Sequence, residues 1–397
     1  MQNLTNTPKR IIYLDQGAIS NIAKVLDPDF PRRERLLKSE PFWLELYKKL
    51  DRLRRLQLIV CPQSYFHLTE SMISTNISFE SLQYVYSYLS NGCRFDDQVA
   101  IRDLQIQYHF INHLRGHPER DPEISADMVM SGNSPNEWSD RRRVTTFEPL
   151  DLDKIRIIRA QREELYRAIG RAFTLWQQAR VDYLPTVKEE AHNLGRAIIE
   201  AHFSYINKWA ACTLGLELPK SPLDLLPPPS SFLFTALSET LRHQGISGPL
   251  DQIRKINEYL HSQHILRVPF INLSSMLFAA IARRAPDTKD WPNEGTATDV
   301  MAIAALLPYC HAMFVDNPMR GHLRDQPLRE EVARFGTQIF SYRSRTEFLS
   351  YLNDIEASAD ERHIRCVNMV YGELRLDPFL DLIVQWKRQR ERVEPPV

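Results

Sequence analysis

Two aspartates stand where predicted strands end, a position from which a carboxylate can take part in chemistry. Asp15 follows the apolar run Ile11–Leu14, and Asp316 follows the apolar run Ala312–Val315. Both runs predict short buried strands. In parallel sheets, ligand sites form beyond the carboxyl ends of the strands, so we expect the two carboxylates at one edge.

Two further acids reach the same edge through the geometry of helices. A helix predicted from Thr296 leads into the strand before Asp316 and runs antiparallel to it, so Asp299, in its first turn, lies near that edge. Glu70 lies about 10 Å along the helix Gln63–Ile73, which follows another predicted strand and begins at the same edge.

The carboxylates of Asp15, Glu70, Asp299 and Asp316 together predict a site for a divalent metal ion. Several carboxylates cannot stay ionised together in a cleft without a cation. Mg²⁺ or Mn²⁺ takes oxygen ligands and keeps bound waters. Such an ion can activate water and stabilise the departing oxygen of a phosphodiester, so this set of residues favours phosphodiester hydrolysis.

Each acid also has a simpler structural explanation. Asp15 and Asp316 could be turn or capping residues. Asp299 could stabilise the start of its helix through the helix dipole, and Glu70 could be an exposed helix acid. Because the same predicted sheet brings all four acids to one edge, a shared site is favoured.

The elements that must position these acids predict an α/β fold. Leu58–Cys61 and Gln338–Ser341 are predicted as strands in addition to the two runs before the aspartates. Strands that alternate with helices indicate a parallel sheet with helices on both faces. Helices are predicted over Gln16–Val25, Pro41–Leu56, Gln63–Ile73, Phe79–Leu89, Asn272–Arg284, Thr296–Leu307 and Arg345–Leu352.

The middle of the chain has helical periodicity and no apolar strand run. Residues 93–262 are therefore predicted to form an all-α insertion between residues 9–92 and 263–352, the two halves of the α/β unit. Residues 353–397 are predicted to form a charged, helical C-terminal extension. The prediction requires that no strand comes from within the insertion.

Composition limits the class of protein. The 397 residues are 43% hydrophobic and 25% charged, which is typical of globular proteins but too long for one ordinary core. The net charge is +0, so any binding of nucleic acid must come from local basic patches. Five dispersed cysteines without a CxxC pair argue against a zinc site or a disulfide framework. No signal-peptide core or membrane-length apolar run occurs, so we expect a cytoplasmic protein.

Four segments resemble the signature blocks of PIN-like nuclease domains, in particular a large bacterial subgroup that opens with a hydrophobic–Leu–Asp–Gln block. They are IIYLDQGAISNIA, LIVCPQSYFHLTES, TATDVMAIAALLPYCHAMFVDN and QIFSYRSRTEFLSYL, within residues 9–90 and 265–352. The resemblance implies a PIN-like parallel sheet and matches Asp15, Glu70, Asp299 and Asp316 to the family's acidic metal-binding positions. It also implies metal-dependent endonucleolytic hydrolysis, usually of RNA.

Two residues depart from the pattern of the family. Gly17 stands where many relatives carry Asn or Ser, and His311 stands where relatives of this subgroup often carry Asp. Both leave the acids in place and bear on how substrate is handled. Asp290 and Glu294, in the loop before the Thr296 helix, are candidate accessory acids.

Basic residues predict where nucleic acid could bind. Arg343 and Arg345 follow the last predicted strand and are expected to flank the acidic site, where they could contact phosphates of RNA or DNA. The other basic clusters, at Arg52–Arg55, Arg141–Arg143 and Lys387–Arg392, are more typical of solvated faces.

A series of histidines in the predicted insertion favours packing over metal binding. His109, His113 and His117 recur at every fourth position, but Gly116 interrupts the helix before the third. The glutamate of an HExxH motif is absent, because Phe110 follows His109. Surface or packing roles are the favoured explanation.

Three functions are compatible with the sequence. The first is a metal-dependent nuclease, with an antitoxin or regulatory protein as an expected partner. The second is another α/β phosphohydrolase, such as the haloacid dehalogenase class, which requires a second Asp where this chain has Gly17. The third is a non-catalytic PIN-like scaffold that binds a protein or nucleic-acid partner. The intact acids favour the nuclease, and the sequence leaves the oligomeric state open.

Overall fold

The elements of the fold come from a computed structural model that describes residues 8–73, 77–138, 152–216, 218, 225–288, 292–293 and 295–372. The strands are β1 (Arg10–Leu14), β2 (Ile59–Val60), β3 (Cys93–Phe95), β4 (Met130–Gly132), β5 (Ala312–Phe314) and β6 (Gln338–Phe340). The helices are α1 (Gln16–Leu26), α2 (Arg33–Ser39), α3 (Phe42–Arg55), α4 (Tyr65–Ile73), α5 (Phe79–Ser90), α6 (Gln98–Leu114), α7 (Leu152–Gln178), α8 (Tyr183–Thr213), α9 (Pro229–His243), α10 (Pro249–Leu260), α11 (Pro269–Arg284), α12 (Thr296–Leu306), α13 (Asn317–Leu323), α14 (Leu328–Arg334), α15 (Arg345–Ala357) and α16 (Glu361–Tyr371).

A four-stranded parallel sheet lies at the centre of the fold, in the order β2-β1-β5-β6. The register aligns Leu14 of β1 with Phe314 of β5, so the residues that follow these two strands emerge side by side. β2 pairs with the first half of β1, and β6 pairs with β5 along the other edge. The predicted α/β architecture, a parallel sheet flanked by helices, is confirmed.

Each face of the sheet has its own hydrophobic core, because successive residues of a strand point to opposite faces. Ile12 and Leu14 join the core that α1, α3, α5 and α15 form on one face. Ile11 and Tyr13 join a larger core on the other face, with helices from α6 to α14. Burial on both faces explains why these strands are apolar without alternation.

The helices of residues 93–262 pack on the second face of the central sheet. α8 packs along α11, and Val187, Leu237 and Tyr259 belong to the same core as Tyr13 and Met313. The segment therefore supplies part of the core that buries the sheet.

The prediction that residues 93–262 contain no strand is wrong. β3 and β4 form a two-stranded antiparallel sheet within this segment. β3 also bonds to Gln63, which follows β2 and Pro62 in the chain. The Phe95 N–H donates to the Gln63 carbonyl at 2.8 Å. These strands have three residues each, and the exposed Arg94 lies between two buried positions of β3, so neither forms an apolar run that the sequence would reveal.

The described part of the C-terminal extension packs against the α/β unit. His363 of α16 is buried and donates from Nε2 to the Leu56 carbonyl oxygen at 2.8 Å. No helix in the described ranges is long and apolar enough to cross a membrane. Several residues singled out in the sequence lie outside the described residues: Arg141–Arg143, Asp290, Glu294 and Lys387–Arg392.

Candidate active site

Asp15 sits between β1 and α1 and caps the helix. Its Oδ1 accepts a hydrogen bond from the Ala18 N–H at 2.7 Å, and its own N–H donates to the Phe314 carbonyl of the neighbouring strand at 2.9 Å. The cap fixes the orientation of the carboxylate at the carboxyl edge of the sheet. A Cβ at Gly17 would lie 3.6 Å from Oδ1, in ordinary van der Waals contact with the carboxylate.

Asp316 repeats this arrangement beside the next strand. It lies just beyond β5 and caps α13, with Oδ1 accepting from the Met319 N–H at 2.7 Å. Because β1 and β5 are paired neighbours, the two capping aspartates occupy adjacent positions at one edge of the sheet. The predicted positions of both aspartates at strand ends are thus observed.

Glu70 and Asp299 approach the same edge from two helices. Glu70 lies on α4, and Asp299 lies in the first turn of α12, which begins after Gly295. Burial raises the pKa of Asp299 well above its usual value, and the other three carboxylates raise it further. The four acids named from the sequence therefore lie within electrostatic reach of one another.

Crowding of half-buried acids makes the ionised site costly. Burial raises the pKa of Asp15 to about 7; the Ala18 hydrogen bond opposes this shift, and the charges of Asp316 and Glu70 add to it. Burial likewise raises the pKa of Asp316 and of Glu70. A bound cation would reverse these shifts, because it favours the charged form of every carboxylate around it.

The structure does not arrange the four predicted acids as a set of direct metal ligands among the described residues. Carboxylate oxygens are the ligands that Mg²⁺ and Mn²⁺ prefer. Among the described residues, no group of three or more His, Cys, Asp or Glu side chains is arranged to hold a metal ion directly. Mg²⁺ commonly binds through one or two carboxylates and keeps several waters, and this arrangement suits adjacent Asp15 and Asp316.

A layer of stacked rings supports the acids. The imidazole of His67 stacks on Tyr13 at a centroid distance of 4.9 Å and lies 4.5 Å from the ring of Tyr86. Its Nε2 donates to the Leu14 carbonyl at 2.7 Å, and its Nδ1 accepts from the Ser64 N–H at 3.1 Å. Burial lowers the pKa of His67 to about 3, so this residue is a neutral support and not a proton carrier at neutral pH.

Gln16 links the helix that carries Glu70 to the end of β1. Its side chain accepts a hydrogen bond from the Tyr86 hydroxyl and donates to Ser71 Oγ at 3.4 Å. The position of Gln16 directly after Asp15, within the Leu-Asp-Gln block, was the available signal in the sequence. Its role as a connection between α1, α4 and α5 depends on tertiary contacts that the sequence alone did not reveal.

A cavity of about 380 Å³ lies beside Asp316, the one acid of the four that lines it, and its other lining residues include Thr296, Phe173 and Arg343. Arg343 therefore lies beside the site, as predicted. Arg345 is not among the lining residues; its guanidinium lies 4.7 Å from the centre of the Tyr342 ring and donates to the Tyr342 carbonyl. The prediction that both arginines flank the site is thus supported for Arg343 alone.

Arg162, on α7, is a further charged residue at the site that the sequence analysis missed. Its Nη2 lies 3.7 Å from Glu70 Oε1, and its charge lowers the pKa of Glu70 and of Asp299 against the effect of burial. The helical segment 93–262 therefore contributes a cation to the cluster of acids.

Two of the histidines noted in the sequence have structural roles. His109 is buried, lies 2.8 Å from the Tyr259 hydroxyl and 3.0 Å from the Pro118 carbonyl, and so packs as predicted. His311 precedes β5 at the amino end of the sheet, where its Nδ1 accepts from the Ile11 N–H at 3.0 Å. It is therefore remote from the acidic edge, and the expectation that it bears on substrate handling has no support in this position.

Comparison with known proteins finds no family model, no curated protein and no solved structure that matches this chain. The resemblance to PIN-like domains therefore rests on the four sequence segments alone.

Proposed function

We propose that this protein is a metal-dependent endonuclease that hydrolyses phosphodiester bonds, with RNA favoured over DNA. The observation that carries the proposal is the pair of strand–aspartate–helix junctions at Asp15 and Asp316, on adjacent parallel strands. Glu70 and Asp299 add their charges to the same edge. Together with the four sequence segments, this arrangement supports a PIN-like nuclease that binds Mg²⁺ or Mn²⁺.

Asp15 and Asp316 are the residues that would hold the ion. In each carboxylate, Oδ1 is oriented by the N–H group of a helix cap, so binding requires little reordering of the side chain. When bound, a divalent ion supplies an activated water and stabilises the developing charge on the phosphate. Glu70, on α4, and Asp299, in the first turn of α12, would orient water molecules through their carboxylate oxygens.

The substrate would enter through the cavity beside Asp316. Arg343 is exposed there and can contact backbone phosphates, and such contacts position a nucleic acid without reading its bases. Because the whole chain has a net charge of +0, this binding depends on local charge. We further propose that the protein acts in the cytoplasm and that an antitoxin or other regulatory protein controls it.

The proposal predicts that Asp15→Asn and Asp316→Asn abolish metal-dependent cleavage of RNA. Loss of a metal ligand worth several kcal/mol lowers the rate on the order of a hundredfold or more. Asn keeps the helix cap, so both variants should stay folded. Cleavage of labelled RNA and DNA with Mg²⁺, Mn²⁺ or EDTA, followed on gels and with a circular-dichroism melt of each variant, measures both effects.

Asp97→Asn is the matched control. Asp97 also follows a strand and caps a helix, with Oδ1 accepting from the Val99 N–H at 2.8 Å, but it is not part of the acid cluster. Its variant should cleave like the wild type. Equal cleavage by Asp15→Asn and the wild type would assign the activity to another site or a contaminant, and a wild type inert toward RNA and DNA would favour the scaffold.

A further inference from the structure

Helix α7 packs against the two helices that carry Glu70 and Asp299. These helices are α4 and α12, respectively. Arg162 extends from α7 into this junction, and its side chain is 21% exposed. Glu70 and Asp299 are both close enough for the charge of Arg162 to lower their pKa values.

Arg162 lies on the inward face of α7, which is otherwise apolar. Ile155 and Ile169 lie seven residues before and after it, and Phe173 lies on the same side of the helix. All three of these apolar residues are buried. Arg162 is thereby partly removed from water, and partial removal of a guanidinium from water is unfavourable unless another group uses its charge and its donors.

The donors of Arg162 are incompletely used within the described residues. The buried Nε–H has no hydrogen-bond partner there. The 3.7 Å separation of Nη2 and Glu70 Oε1 is an ion pair and is too long for a good hydrogen bond. A buried N–H without an acceptor is costly, so the site is suited to a ligand that brings acceptor oxygens.

We propose that Arg162 is a catalytic residue that contacts the scissile phosphate of the substrate; this inference rests on the proposed nuclease function. The Nε and Nη2 donors of a guanidinium form a rigid fork that matches two oxygens of a phosphate. A donor fixed at this place stabilises the negative charge that increases during phosphodiester hydrolysis. In the absence of substrate, Glu70 holds the guanidinium through its charge.

This role makes the segment 93–262 part of the active site and not only a cover for the sheet. The same face of α7 carries Phe173, which lines the cavity beside Asp316. A guanidinium that binds phosphate oxygens recognises the backbone and not the bases. We therefore expect the contact of Arg162 to raise the rate of cleavage equally for substrates of different sequence.

The test compares Arg162→Ala with Arg167→Ala under single-turnover conditions with saturating Mn²⁺. Arg167 lies on the same helix but is exposed and paired with Glu163 at 2.8 Å, so its variant should cleave like the wild type. Arg162→Ala should lose on the order of a hundredfold or more in rate, as removal of one charge-stabilising donor does in other enzymes. Millimolar guanidinium ion should restore part of that rate and leave the wild type unchanged.

The outcomes separate this inference from the proposed function. A wild type without cleavage of RNA or DNA overturns both. An active wild type with an equally active Arg162→Ala overturns the role of Arg162 alone. A slow Arg162→Ala that guanidinium does not rescue, and whose melt no longer shifts with Mn²⁺, overturns it in favour of a structural ion pair. If the alanine variant melts too early to assay, Arg162→Gln takes its place, and a wild-type rate in that variant overturns the role.

Discussion

At the scale of single residues, Asp15 and Asp316 each have a structural and a chemical role. One carboxylate oxygen accepts the N–H that caps the next helix, and this contact fixes where the second oxygen lies. The capping and metal-binding explanations of the sequence are therefore compatible. The same hydrogen bonds oppose the rise in the pKa of both acids that burial causes, so the cap also favours the ionised form.

Asp15→Asn should make the stability of the metal-free protein less dependent on pH. Folding raises the pKa of Asp15 from its ordinary value of 3.8 to about 7, so between these values the folded state holds a proton that the unfolded state has released. A rise in pH through this window therefore lowers the free energy of unfolding. Asn does not titrate and removes that contribution.

Thermal melts in EDTA between about pH 4 and about pH 8 measure this effect. The melting temperature of the wild type should fall further over this pH range than that of Asp15→Asn. Parallel curves for wild type and Asp15→Asn would contradict a buried, proton-binding carboxylate at position 15.

At the scale of elements, the end of β1 and the start of α4 are joined through His67. Its two ring nitrogens satisfy the Leu14 carbonyl and the Ser64 N–H, both at the carboxyl edge of the sheet. Because Glu70 lies one turn further along α4, this connection sets the position of Glu70 relative to Asp15.

His67→Phe should destabilise the fold and slow cleavage. Phe keeps the stacking on Tyr13 and Tyr86 but leaves the Leu14 carbonyl and the Ser64 N–H without partners. Each buried unsatisfied group costs about 1–3 kcal/mol, so the free energy of unfolding should fall by roughly 2–6 kcal/mol for the two groups together. Urea denaturation measures the change, and the exposed His117→Phe should stay within about 0.5 kcal/mol of the wild type. A His67→Phe variant as stable as the wild type would refute this role.

How much the sequence predicts depends on the length and setting of each element. β1 and β5 are buried on both faces, so their apolar runs and the aspartates that follow them could be identified in the sequence. β3 was missed because its three residues alternate between buried and exposed. The location of Arg162 at the site depends on how α7 packs against α4 and α12. The sequence shows only that Arg162 lies in a stripe of apolar residues that recur at a spacing of seven.

At the scale of the whole molecule, the helices of residues 93–262 and the sheet share one core. Val60 and Met313 of the sheet are 1% and 0% exposed, and they belong to the same cluster as Leu237 and Tyr259. A segment that covers a sheet in this way is not expected to be dispensable, because its loss exposes a contiguous apolar face.

Replacement of residues 96–262 by a short flexible linker should therefore prevent folding. The loss removes the helices that pack on α11 and α12, so apolar residues of the shared core become exposed, and burial of such side chains contributes about 1.5–3 kcal/mol each, which is large against the net stability of a domain. Near-UV circular dichroism and binding of a hydrophobic dye to the purified variant measure the outcome.

We expect no cooperative melt and strong dye binding, and the Arg167→Ala variant of the full chain should melt like the wild type. A shortened chain that melts cooperatively would mean that residues 9–95 and 263–372 form an independent α/β unit, with the helical segment as a removable addition to it.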